Sequence, residues 1–276
     1  MKIHYQKILS IIFFVFIPLS LLGQEIVSQD TTSKQVEELH MVASFVKSFD
    51  HGLKLTLEEE MRINIAPDNP FHRLHTTVSL AYTPIEYLSM SAGYVLKLYG
   101  NQGWNDVNKY LRHRVNIDAT GQVSLGSWKL SLRERLMMDA RADEIDSREK
   151  NALDLVLRSR LQAVYNIPTI KKMSMSIVAK MEIFNTLNAI EDVYFESSEG
   201  TMQSMAPIHV GGQYINELRP EIGLQWKFNK KHTVNLAYRY NYVYSRDIHV
   251  LDDGNVHLTH AYTHKHVMLL TYKLDW

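Results

Sequence analysis

The 276-residue chain has no cysteine, only 12 glycines and 7 prolines, and no net charge, with 30 basic residues against 30 acidic ones. The missing cysteines exclude a disulfide framework and thiolate metal centres. The balanced charge lacks the basic surplus that nucleic-acid binding requires, so no such partner is expected. A mean hydropathy of −0.21 excludes a bundle of apolar membrane helices. No glycine-rich phosphate loop and no HExxH pair occurs, so no cofactor is expected. No histidine has a serine two residues away, which removes the simplest Ser–His pair on one strand face. A pair formed across strands is left open, because such sites are defined by geometry.

The one long apolar run is at the start. Lys2 and Lys7 lead into Ile8–Leu22, which is interrupted by Pro18 and ends at Gly23. A charged, then apolar, then small-residue pattern predicts a cleaved signal peptide over residues 1–23. Loss of Lys2 and Lys7 from the 30 basic residues leaves 28 against 30 acids. Residues 24–37 are polar without a period and read as a flexible leader. Residues 38–276 read as one domain.

That domain alternates. Trp276, Leu274, Tyr272, Leu270 and Met268 form one row, against Asp275, Lys273 and Thr271 in the other. Leu53, Leu55, Leu57, Met61 and Ile63 likewise oppose Lys54, Thr56, Glu58, Glu60 and Arg62, with Glu59 interrupting the apolar row. A strand puts such a row on one face, whereas a helix would scatter it. About eleven such segments follow one another, most longer than the ~9–11 residues that span a bilayer as a tilted strand. Short connections near Gly52, Pro84, Gly121, Pro168 and Asn229 alternate with longer loops near Asp68, Gly103, Glu144, Glu196 and Asp252. This predicts an all-β, antiparallel up-and-down transmembrane barrel of about 10–12 strands, exported to the outer membrane. An odd count would leave the amino-terminus on the outer side. An even count of ten or twelve is therefore expected, with a further strand in the leader or in Leu187–Gly212, or with a first segment that is not a full crossing. Trp276, Leu274 and Tyr272 then form the terminal aromatic strand that barrel assembly machinery reads. Tyrosines and tryptophans near segment ends suit interfacial girdles.

The polar rows carry the candidate site. Arg112, Arg114, Arg133, Arg135, Arg158, Arg160, Arg219 and Arg239 fall on inward faces with Glu58, Glu60, Asp118, Asp139, Asp154, Glu182 and Glu221. Charges inside a narrow barrel must be paired, which predicts an ion-pair network in the lumen. Forked guanidinium groups also suit an anion path or binding site. Near the end, His249, His257, His260, His264 and His266 gather with Asp252 and Asp253. His257, His260, His264 and His266 are the metal-ligand candidates, but their spacing matches no particular centre, and no metal is expected.

Several short motifs then recur in order: EEEMR (Glu58–Arg62), AGY (Ala92–Tyr94), RHR (Arg112–Arg114), LRER (Leu132–Arg135), RSR (Arg158–Arg160) and ELRPEIGLQW (Glu217–Trp226). Together they resemble the exported bacterial family catalogued as domain of unknown function 2490, common in Bacteroidota. The resemblance covers roughly Glu38–Trp276 and implies an outer-membrane barrel without a known activity or family catalytic residues. The function expected is non-enzymatic: an envelope component or small passive pore in contact with outer-membrane lipid, of open oligomeric state. The alternatives are a barrel enzyme acting on membrane lipid and a soluble periplasmic β-protein holding an apolar ligand.

Overall fold

The computed structural model describes residues 28–65, 71–99, 111–141, 153–170, 173–188, 193–196, 202–204, 214–251 and 256–276. The expected signal peptide lies outside these residues, as does the start of the leader. Period-two alternation gives strands throughout. They are β1 (Ser28–Ser48), β2 (Leu53–Asn64), β3 (Phe71–Ile85), β4 (Leu88–Tyr99), β5 (Leu111–Leu125), β6 (Trp128–Arg141), β7 (Leu153–Ile170) and β8 (Met173–Thr186), followed by β9 (Val193–Glu196), β10 (Met202–Ser204), β11 (Tyr214–Lys227), β12 (His232–Leu251) and β13 (Val256–Asp275).

Each long strand pairs antiparallel with the next, and β13 closes the sheet against β1, giving a closed barrel of eleven strands among the described residues. Closure gives each of the eleven long strands a neighbour on both sides, which removes the open sheet edge of an unclosed barrel. The expected even count is thus corrected. With an odd number of up-and-down strands the first and last run the same way, so β1 and β13 pair in parallel, from Ser28↔His257 to Val46↔Asp275. The seam ends with the Trp276 N–H donating to the Val46 carbonyl at 2.7 Å.

The expected leader is corrected too, since residues 28–37 form the first half of β1. Among the described residues of Leu187–Gly212 the strands are β9 and β10, which pair antiparallel, with β9 running parallel to the end of β12. Neither adds a crossing. The loop expected over Arg246–Ala261 is mostly strand, as β12 runs to Leu251 and β13 starts at Val256.

Short connections gather at one rim. Asp50–Gly52 forms a 3-10 turn in which His51 and Gly52 have φ of 61° and 77°. A Cβ on Gly52 would lie 2.6 Å from the Thr83 carbonyl oxygen, so only glycine fits there. The short connection expected between Gly121 and Gly126 lies at its Gly126 end, φ 61°, because β5 continues through Gly121 to Leu125.

Burial is inverted relative to a globular protein. Leu80, Ile117 and Ile222 are 52%, 52% and 59% exposed on the outer surface, whereas Glu182 and Glu221 are 2% and 6% exposed. Globular folds keep acids outside and branched aliphatics inside. One stretch of wall departs from the charged interior: inward Ala237, Val267 and Leu269 form a buried apolar cluster beside Gly223. A Cβ on Gly223 would come within 2.6 Å of the Ala237 Cβ, so β11 and β12 pack there without room for a side chain.

Candidate functional site

The site is the lumen. All eight arginines read from the polar rows line one cavity of about 720 Å³, together with Glu58, Glu60, Asp139, Asp154, Glu182 and Glu221. Asp118 is buried beside it, paired with Arg135.

The pairing follows one pattern: Asp118, Asp139, Glu182 and Glu221 are each shared by two cations from strands one or two places away. Asp139 on β6 accepts from Lys97 of β4 at 2.5 Å and from Arg114 of β5 at 2.9 Å. Asp118 on β5 accepts from both ends of the Arg135 guanidinium and from Ser91 at 2.8 Å, with Arg133 at 3.9 Å. Glu182 on β8 accepts from Arg158 at 2.6 and 2.7 Å and faces Arg160 at 3.0 Å. Glu221 on β11 takes Lys180 at 2.5 Å and Arg239 at 2.8 Å.

Near the seam the pattern extends to histidines. Glu38 binds His40 at 2.7 Å and Lys265 at 3.1 Å. Glu60 accepts from Arg62 at 3.1 Å and meets His40 at 3.2 Å and His75 at 3.3 Å. Arg219 is the exception, holding Glu217 alone through two bonds of 2.6 Å and lying 4.1 Å over the Phe184 ring. Arg73 and Arg112 both stack on Tyr99, at 4.7 and 5.1 Å.

Sharing leaves a surplus. The cavity lining has twelve Lys or Arg side chains against seven Asp or Glu. The surplus concentrates on β6 and β7, where Arg133 is in register with Arg160 and Arg135 with Arg158. Like charges directly opposite on a sheet repel, so this arrangement needs external neutralisation. Glu58 of β2 faces Arg133, Arg135 and Arg160 across the lumen. It supplies one charge only.

Arg62, Arg73, Lys97, Lys180, Glu38, His40, His75, Glu217 and Lys265 were not among the residues expected in the site. Lys97 and Lys180 carry the same polar-row parity as the arginines, and that signal finds them. Glu38 and His40 follow only once β1 is known to be a complete strand.

The histidines fall elsewhere. His260, His264 and His266 point outward from β13 and pair with tyrosines of β12: Tyr244–His260 at 2.6 Å, Tyr240–His264 at 2.5 Å and Tyr238–His266 at 2.7 Å. No group of three or more metal-ligating side chains occurs among the described residues. The His249 and His257 side chains lie outside those described, as do Asp252 and Asp253. At the short-turn rim, Tyr272 bonds His232 at 2.6 Å, Leu274 is opposite His232, and the Trp276 ring lies under Lys47 Nζ at 4.0 Å.

A family model described as a protein of unknown function (DUF2490) matches residues 39–251. The chain belongs to this family. No curated protein and no solved structure matches it. The family match starts at Leu39 within β1 and runs to the end of β12, so it covers Glu60, Asp118, Asp139, Glu182 and Glu221 but leaves out Glu38 and its partner Lys265 of β13.

Proposed function

We propose that this DUF2490 barrel spans the outer membrane and acts there without a covalent step, as an envelope component whose lumen is constricted by shared ion pairs. The observation that carries the reading is the inverted wall. A continuous outer belt that includes Leu57, Leu80, Met90, Ile117, Leu161, Ile177, Ile222 and Leu270 stays more than a third exposed around the closed barrel. In water such a belt is a large aggregation liability, and in hydrocarbon it is the favourable surface. Its partners are then outer-membrane lipid and, during biogenesis, assembly machinery that engages the strand ending in Tyr272, Leu274 and Trp276. Removal of residues 1–23 on export belongs to the same proposal.

A second reading, passive passage of small ions, is favoured by the cavity. About 720 Å³ is room for roughly 24 waters at ~30 Å³ each. The test of the primary reading is fractionation: the protein stays with membranes after alkaline carbonate extraction and shifts its mobility on gels when heated. A soluble monomer in the periplasmic fraction overturns it.

A further inference from the structure

The geometry points to an oxyanion-binding site inside the lumen, built on Arg133, Arg158 and Arg160 of β6 and β7, that takes a phosphate-type dianion.

Three observations carry it. The first is register. Arg133 and Arg160 are direct cross-strand neighbours, as are Arg135 and Arg158, so four guanidinium groups form one inward patch. The second is that the flanking carboxylates are already committed. Asp118 is engaged by Arg135, both oxygens of Glu182 accept from Arg158, and one of them also faces Arg160 Nε at 3.0 Å. Arg133 reaches Asp118 only at 3.9 Å. The third is unused donor capacity. Nε and one terminal nitrogen of Arg133 and Nε of Arg158 are buried without a hydrogen-bond partner. Buried donors of charged groups are rarely left unsatisfied, because each forfeits the water it had in the unfolded chain.

The chemistry of the donors selects the ligand. A planar guanidinium presents parallel N–H groups that match the spacing of oxyanion oxygens, which a spherical halide does not use. An anion suits the charge: four arginines with Asp118, Glu182 and Glu58 nearby leave one net positive charge locally, and the wider lining, where cations outnumber acids twelve to seven, supplies the rest for a dianion. Glu58 is then the group that a bound anion must displace or tolerate. It acts as a built-in competitor that tunes affinity from the opposite wall.

The site rests on the lumen described above but not on residence in a membrane, and barrel folded in detergent micelles tests the two separately. Titration calorimetry with inorganic phosphate, at ionic strength held constant with sodium chloride, should show saturable binding to the wild-type barrel. Arg133→Gln should weaken it by about tenfold or more, the loss expected for one charge-assisted contact. Glu58→Gln should tighten it, an outcome that misfolding cannot imitate. A parallel titration with glycerol phosphate distinguishes a site for the free anion from one for a phosphorylated solute, and saturable binding of either supports the site. No saturable binding of either, or a Glu58→Gln barrel that binds phosphate no more tightly than wild type, overturns the proposal. Should Arg133→Gln fail to fold, the wild-type and Glu58→Gln titrations decide alone.

Discussion

Two stretches of the same wall treat the lumen differently. Along β5–β8 most of the cavity-lining side chains are long and charged, and reach inward to meet Asp118, Asp139 and Glu182. Where β11, β12 and β13 meet, the inward positions are Gly223, Ala237, Val267 and Leu269, close-packed and apolar. Elsewhere along the same strands Arg219, Glu221 and Arg239 still face the lumen, and on the outer surface tyrosines of β12 bond histidines of β13. One alternation rule produces both walls. What differs is the space opposite: a guanidinium needs several ångströms of lumen and a partner, and a glycine–alanine contact leaves neither. The charged wall is therefore held by electrostatics that must balance, and the apolar wall by shape.

That contrast can be broken from either side. The largest effect is expected from Glu182→Ala, which strands Arg158 and Arg160 together. Breaking a buried pair by removing one partner costs about 3–5 kcal/mol, read as the shift in urea unfolding of the folded barrel. Next is Gly223→Val on the apolar wall. The new side chain meets Ala237 and the Leu236 carbonyl oxygen, and overpacking of this kind costs about 1–3 kcal/mol by the same measurement. Tyr240→Phe should cost ~1 kcal/mol, the net worth of one hydrogen bond, while leaving the lumen untouched. The smallest change is predicted for Arg160→Ala, under ~1 kcal/mol, even though it deletes a buried charge. Glu182 keeps both Arg158 bonds in that variant, and the repulsion from Arg133 in register is relieved. A loss for Arg160→Ala as large as that for Glu182→Ala would show that the carboxylates are not shared.

Much of this wall was legible in the alternation. Every arginine of the polar rows does face the lumen, because a side chain's face in a strand depends only on parity, which needs no knowledge of the neighbours. The family was legible as well, in the order of motifs from Glu58 to Trp226. Three things were not. The strand count needed the closure: residues 28–37 are polar without a period, and they become a strand only because β13 presents a complementary edge along nineteen register positions. The place of the turn between Gly121 and Gly126 needed the backbone, since β5 continues through Gly121 and it is Gly126 that takes the positive φ. The histidines were grouped by sequence proximity, but His260, His264 and His266 share a parity that sends them outward to tyrosines. Partner choice across strands depends on register, and no single strand encodes it.

The central claim is that the exposed apolar belt faces hydrocarbon while the charged rows face a lumen. The chain has no native cysteine, so single cysteines can be placed and labelled without background. Leu80→Cys, Ile117→Cys and Ile222→Cys sample the belt, and Thr77→Cys and Thr271→Cys sample the cavity lining. Each is labelled with an environment-sensitive fluorophore, reconstituted into vesicles and exposed to quenchers carried on acyl chains or dissolved as iodide. The account predicts blue-shifted emission at the three belt positions, quenched through the acyl chains and indifferent to iodide, with no acyl-chain quenching at Thr77 and Thr271. Iodide quenching of the belt positions, with no response to the acyl-chain quencher, would contradict it.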